Sequence, residues 1–167
     1  MTLYNLDFKG NITYHQRNWE YGLITIDSGV SFALSSSRWV LDYASSHFNS
    51  LLVSKNCPSV VIQDCYFEVT GSDTGVLVSP ILADLNKPDV LDFNNSTFVG
   101  FKSLVDGGVA KLDGFGSVFI QNSRFAHNEA NEGASFFLSS SLKVYVLNSV
   151  FENNTASFSG AALFATQ

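Results

Sequence analysis

Two stretches decide the fold, VFIQNSRF at residues 118–125 and VYVLNSVF at residues 144–151. In each, apolar residues recur at every second position, Asn-Ser follows, and a Phe closes the stretch. Apolar residues with a period of two are typical of a β-strand. The closing residues, Phe125 and Phe151, are 26 residues apart. A pattern of this length that returns at such a distance predicts a structural repeat.

Further aromatic residues close similar stretches nearer the N-terminus. We call all six the anchors: Phe8, Trp39, Phe67, Phe98, Phe125 and Phe151. Successive anchors are 31, 28, 31, 27 and 26 residues apart, and an apolar residue stands five positions before each. Such a unit, with short strands and no helical periodicity, predicts one coil of a parallel β-solenoid. The predicted fold class is all-β, a single domain over residues 1–167 with five to six coils.

A small polar residue stands three positions before each anchor. These residues are Asn5, Ser36, Asp64, Asn95, Asn122 and Asn148. Stacked coils place equivalent residues above one another, so we expect a polar ladder that satisfies backbone groups at a turn. We expect this ladder, including Asn95, to face inward.

A second landmark supports the repeat. A small residue opens an apolar run after each anchor, as at Gly108, Gly133 and Gly160. The unusually long interval from Gly75 to the next anchor is assigned to a loop over 80–88, because it contains two prolines. Counting from each opener, the outward positions include apolar residues. A strand that is apolar on both faces is usually covered on both, which predicts an interface formed by Val53, Val78, Phe136 and Leu163.

The last coils resemble a known repeat family. Residues 125–128 (FAHN) and 151–154 (FENN) are similar to the F-x-x-N motif of polymorphic outer-membrane protein repeats. Residues 107–110 (GGVA) and 160–163 (GAAL) resemble the partner motif G-G-A-I. The resemblance covers about two and a half coils. It implies a right-handed β-helix of a secreted or cell-surface protein, in the wider pectin-lyase-like group.

Composition excludes several classes of protein. The chain is 46% hydrophobic and 14% charged, whereas a disordered chain needs high charge and few apolar residues. A net charge of -6 argues against nucleic acid as a partner. No stretch has the roughly 18 consecutive apolar residues of a membrane helix, and residues 1–5 do not begin a signal peptide.

No catalytic, metal or cofactor site is predicted. The acidic residues are scattered through the coils, and no basic residue stands opposite a carboxylate cluster, as acid–base chemistry would require. The three histidines, His15, His47 and His127, have different offsets from their anchors, whereas zinc ligands must converge. We therefore expect a protein that is not an enzyme.

The cysteines and the glycosylation motifs bear on location. Cys57 and Cys65 flank one strand, and about eight extended residues would hold them too far apart for a disulfide. We expect free thiols. The motif N-x-S/T marks Asn11, Asn94 and Asn153 as candidate N-glycosylation sites of a secreted glycoprotein.

The ends of the chain predict contacts with other coils. Neither terminus has an amphipathic capping helix, and joining the tail to the head of a second copy nearly preserves the repeat spacing. We expect an extracellular or cell-surface structural or adhesive solenoid, as a segment of a longer chain or as a subunit of a head-to-tail filament. The alternative is a carbohydrate-binding or carbohydrate-active β-helix, and surface glycans are then its partners.

Overall fold

A computed structural model describes residues 2–4, 7–10, 24–27, 31–42, 52–55, 57–70, 81–103, 105–140 and 143–166. The regular secondary structure in these ranges is entirely β. The strands are β1 (Thr2–Tyr4), β2 (Asp7–Gly10), β3 (Ile24–Asp27), β4 (Phe32–Ser35), β5 (Arg38–Asp42), β6 (Leu52–Lys55), β7 (Ser59–Gln63), β8 (Tyr66–Thr70), β9 (Ile81–Asn94), β10 (Thr97–Val99), β11 (Ala110–Gln121), β12 (Arg124–Ala126), β13 (Glu129–Glu132), β14 (Phe136–Ser139), β15 (Lys143–Leu147), β16 (Val150–Glu152), β17 (Thr155–Ser159) and β18 (Leu163–Thr166).

The strands stack as a parallel β-solenoid, as the sequence predicts. Sheet 1 contains ten of the described strands, including β9 and β11, and sheet 2 contains β2, β5, β8, β10, β12 and β16. A third, two-stranded sheet pairs β13 with β17. Every pair in these sheets is parallel. The described residues make up about four turns, so the predicted five to six coils is too high.

The six anchors form one column within sheet 2, parallel to the axis of the solenoid. Their backbones are in register from Phe8 and Trp39 through to Phe125 and Phe151. From Trp39 onward the rings stack face to face, with centroids 6.2, 4.8, 5.2 and 5.0 Å apart. Each such pair stabilises the fold by about 0.5–1.5 kcal/mol beyond the burial of its area. The anchor prediction is confirmed.

The corner between sheets 1 and 2 corrects the predicted polar ladder. Ser36, Asp64, Asn95, Asn122 and Asn148 are stacked there, but each has a positive φ between 46° and 54° and an exposed side chain. The prediction that this ladder, and Asn95 in particular, faces inward is wrong. The left-handed conformation suits Asn and Asp, and it turns the side chain to solvent. Asn5 lies outside the described residues.

The inward polar column lies one residue later. Ser37, Cys65, Ser96 and Ser123 are buried at this corner. The hydroxyls of Ser96 and Ser123 each contact one carbonyl oxygen of their own coil and one of the preceding coil. Each also accepts a backbone N–H of the preceding coil, as in Cys65 N to Ser96 Oγ at 3.1 Å. These bonds satisfy backbone groups that the turn would otherwise bury without partners.

The stretch predicted as a loop is a strand. Ile81 begins β9, in register with Leu52 before it and Ala110 after it. The register shifts between Gly114 and Gly116, opposite residues 86–88. Pro88 therefore lies in an irregular part of the strand, where no N–H is needed for pairing. The loop assignment over 80–88 is wrong for the described residues 81–88.

A second corner precedes the first strand of each coil in sheet 1. Gly107, Gly133 and Gly160 have φ values of 73°, 59° and 68° and stand three residues before the register partners Ala110, Phe136 and Leu163. Gly107, not Gly108, is thus the equivalent of Gly133. Phe136 is fully buried, and Leu163 packs against the same core. The prediction that these two residues face outward is wrong.

None of the described residues forms a helix that is long and apolar enough to cross a membrane.

Candidate functional site

Several polar and aromatic side chains interact with one another on the outer side of sheet 1. We call this group the Lys111 face and define it by Lys111, Asp113, Phe137, Ser139 and Phe164. Along β11 and β14 these residues alternate with buried Leu112, Phe136 and Leu138. On β18, Phe164 is in register with Phe137. Leu82 on β9 is in register with Lys111 on one neighbouring strand, β11, and with Val53 on the other, β6. Val78 lies outside the described residues.

Lys111 joins the charged and aromatic parts of this face. Its Nζ lies 3.3 Å from Asp106 Oδ2 and 5.0 Å from the ring centroid of Phe137. The Phe137 and Phe164 rings stack at 5.6 Å. The ammonium group therefore combines a salt bridge with a cation–π contact, which is worth about 0.5–1 kcal/mol at a partly exposed site.

Asp113 lies in strand register with a second aspartate. Asp84 is its partner in the neighbouring coil, so the acidic residues are less scattered than the sequence predicts. Asp113 Oδ1 accepts hydrogen bonds from Ser139 Oγ at 2.6 Å and Ser140 Oγ at 3.0 Å. The hydrogen bond from Ser139 is the main cause of the lowered pKa of Asp113, and the positive charge of Lys111 lowers the pKa further. This carboxyl stays ionised at neutral pH, unlike a general acid.

A third carboxylate lies on the other half of the same sheet. Asp92 is in register with Val61 and Phe119, and the Phe119 ring stacks on Tyr145 at 4.9 Å. The Oδ1 atom of Asp92 is buried without a hydrogen-bond partner. Burial raises the pKa of Asp92, and a hydrogen bond from Gln121 opposes the rise only in part. The apolar neighbours thus penalise the charged form.

Replacing Asp92 by Asn is expected to stabilise the fold at pH 7. The raised pKa means that the folded state binds the proton more tightly than the unfolded state, so stability is lost as the pH rises from 3.8 through the folded pKa. D92N should raise the free energy of unfolding at pH 7 and change it little at pH 3, as measured by urea denaturation. D113N is the matched control. Its carboxyl has a lowered pKa, so this variant should lose stability at pH 7. Equal effects at both pH values would contradict the assignment.

The described residues hold no group of three or more His, Cys, Asp or Glu that could bind a metal ion. His127 is exposed, with a φ of 56°, at the corner after sheet 2. His15 and His47 lie outside the described residues.

Both cysteines are buried, and neither forms a disulfide. Cys57 Sγ contacts the carbonyl oxygen of Ile26 at 3.6 Å, and Cys65 Sγ contacts that of Gln63 at 3.1 Å. Burial raises the pKa of the Cys65 thiol, which keeps it protonated and unreactive.

The candidate glycosylation sites differ in their surroundings. Asn94, at the end of β9, is half-buried, and its Oδ1 accepts a hydrogen bond from Asn122 Nδ2 at 3.4 Å. Asn153 is exposed at the corner that follows β16. Asn11 lies outside the described residues.

The fold and these faces define the class of protein as a parallel β-solenoid. No protein-family model and no solved structure matches the chain. Among curated proteins it is similar to metabotropic glutamate receptor-like protein R of Dictyostelium discoideum, with 25% identity over 107 residues. The aligned segment is 62% of this chain but 6% of that relative. The chain therefore spans a small part of the length of the relative.

Proposed function

We propose that this chain is a structural or adhesive segment of an extracellular or cell-surface protein and is not an enzyme. In this proposal it is a right-handed β-helix of the pectin-lyase-like kind, and its main contacts are with other solenoid coils, end to end. The similarity to a receptor-like protein supports the location. The small share of that relative that is matched supports a role as one segment among others.

The observation that carries the proposal is the contrast between successive coils. Val118 and Ile120 are fully buried beneath their register partners Val144 and Val146. In the coil above, Val146 is 49% exposed. A further coil in the same register would remove this apolar side chain from water, at about 25 cal/mol per Å².

The Lys111 face supports a structural role rather than catalysis. Both the ammonium group and the Asp113 carboxylate already bind neighbouring side chains. Acid–base catalysis requires a group that can exchange a proton near the working pH. Asp113 is held in its charged form instead.

The stacking contact is tested by placing a charge on the uncovered strand. Val146 is an inward-facing residue of β15, in register with buried Ile120, whereas Leu147 has the opposite parity. V146K would place an ammonium group beneath the next coil, so it should convert oligomers of the wild-type chain to monomers in sedimentation velocity. L147K keeps its charge at the side of the stack and should leave the oligomers intact. A wild-type chain that stays monomeric at all concentrations would overturn end-to-end stacking of copies.

The location is tested on cells that express the full natural protein. An antibody against this segment should label intact cells as strongly as permeabilised cells. Labelling only after permeabilisation would overturn the extracellular location.

Carbohydrate binding is a second candidate because of one observation. The Lys111 face combines a stacked aromatic pair with a cation and a carboxylate, and neutral or acidic sugars contact such groups. The expected result under this alternative is binding to an acidic polysaccharide that is lost in Lys111→Met. Retained binding in that variant, or no binding by the wild type, would exclude this face as a glycan site.

A further inference from the structure

The outer surface of sheet 2 is bounded by two exposed asparagines in N-x-S/T motifs. Asn95 (N-S-T) lies between β9 and β10, and Asn153 (N-N-T) lies between β16 and β17. We propose that these two residues carry N-linked glycans and that Asn94 does not. Because N-glycans are added in the secretory pathway, this rests on the extracellular location proposed above.

Asn94 and Asn95 belong to overlapping motifs, and the fold separates them. Asn95 projects from the left-handed corner, with a φ of 46° and an exposed side chain. Its stacked neighbours in this column, Asp64 and Asn122, are also exposed and polar. Asn94 is half-buried at the end of a strand and accepts a hydrogen bond from Asn122. A bulky polar glycan is compatible with the exposed side chain of Asn95, whereas the half-buried Asn94 leaves less room for it at the end of the strand.

The chemistry preserves the hydrogen bond that Asn95 makes. The donor is a lipid-linked oligosaccharide diphosphate. The amide Nδ2 forms a bond to the anomeric carbon, the bond from that carbon to the diphosphate oxygen breaks, and Nδ2 loses one proton while the lipid diphosphate leaves. The product amide keeps one N–H. That hydrogen can still be donated to Asp64 Oδ1, which lies 2.7 Å from Nδ2.

Asn153 has a similar position at the other edge of sheet 2. Its φ is 52° and its side chain is exposed, as is that of Thr155 within the same motif. The intervening Asn154 turns inward, since its Nδ2 donates to the carbonyl oxygen of Phe125 at 3.0 Å. A glycan on Asn153 therefore displaces none of the bonds that hold this corner.

Glycans at both edges would flank the same surface. The outer side of sheet 2 carries Arg38, Tyr66 and Arg124, with the ion pairs Arg38–Glu68 and Arg124–Glu152. The Lys111 face lies on the other sheet. Glycans at these two sites would therefore shield the outer side of sheet 2.

The test is site occupancy in the full chain, expressed in eukaryotic cells behind the leader of a secreted protein. Asn11 is replaced by Gln throughout, so that only the described sites are counted. Glycopeptides from cells and medium together are deglycosylated in ¹⁸O-water and sequenced by mass spectrometry. We expect label on Asn95 and Asn153, and none on Asn94. T97V removes only the Asn95 motif and should lose one glycan, whereas T97S keeps the motif and should keep the glycan.

Label on Asn94 in the wild type, or a bare Asn95 or Asn153, would overturn the inference. Because the leader is supplied, either result leaves the proposed location untouched. Surface labelling of cells that make the natural protein bears on that location alone.

Discussion

Phe98→Ala is expected to lower the free energy of unfolding by about 3–5 kcal/mol. The Phe98 side chain is 1% exposed, and its ring lies between those of Phe67 and Phe125, with centroids at 4.8 and 5.2 Å. Phe93 adds an edge-on contact at 5.6 Å. In a solenoid each coil is stabilised mainly by its two neighbours, so one cavity weakens two coil interfaces. Urea denaturation, followed by circular dichroism, measures the loss.

Phe158→Ala is the matched control for this variant. The same atoms are removed from a side chain that is 78% exposed, so the expected change is within about 0.5 kcal/mol. Equal losses for the two variants would show that the aromatic column does not hold the coils together.

Asn128→Ala is expected to lower the free energy of unfolding by about 1–3 kcal/mol. The Asn128 side chain is 1% exposed. Its Oδ1 accepts the N–H of Phe101 at 3.0 Å, and its Nδ2 donates to the carbonyl oxygen of Phe98 at 3.4 Å and to Asn154 Oδ1 at 3.0 Å. Removing the amide leaves the buried N–H of Phe101 without its partner, which costs about 1–3 kcal/mol. The measurement is again urea denaturation.

Two further variants separate hydrogen bonding from packing at this corner. Asn128→Asp keeps an acceptor for the Phe101 N–H but buries a negative charge, so it should destabilise more at pH 7 than at pH 3. Asn153→Gly changes an exposed asparagine whose φ of 52° suits glycine, and it should shift stability by less than about 0.5 kcal/mol. A loss in Asn128→Asp that does not depend on pH would contradict the hydrogen-bonding role.

The interior columns were predictable because a solenoid repeats its environment. The anchors and the apolar residues five positions before them, such as Ile62 and Phe93, are all in register. Each coil presents the same backbone conformation to the next, so the same position receives the same kind of side chain. Spacing along the chain is therefore enough to identify partners that lie about 4.8 Å apart in space.

The direction of the corner side chains was not predictable from alternation. Phe125 stands five positions after Ile120, and both are buried. Strict alternation would place residues an odd number of positions apart on opposite faces, so it must slip once between them. The slip occurs at Asn122, whose φ is 51°, and it places Ser123 inside instead. A similar shift at Gly133 turns Phe136 inward, which removes it from the predicted interface.

The pairing of Asp84 with Asp113 was likewise not predictable from the sequence. Asp84 and Asp113 are partners because β9 begins at Ile81, a start that the two prolines concealed in the sequence. With the strand placed correctly, coil spacing alone would have brought the two residues together. The ion pair between Lys111 and Asp106 and the stacking of Phe137 on Phe164 need side-chain positions in space.

By itself, the sequence determined that the protein is a parallel β-solenoid and which residues form its aromatic column, because a period in the chain becomes a stack in space. Only the tertiary structure decided which way each corner residue points, since a single residue in the left-handed conformation reverses the alternation that follows it. That reversal exposes Asn95 and buries Phe136. It thereby decides which side chains lie on the surface of the solenoid and which lie in its core.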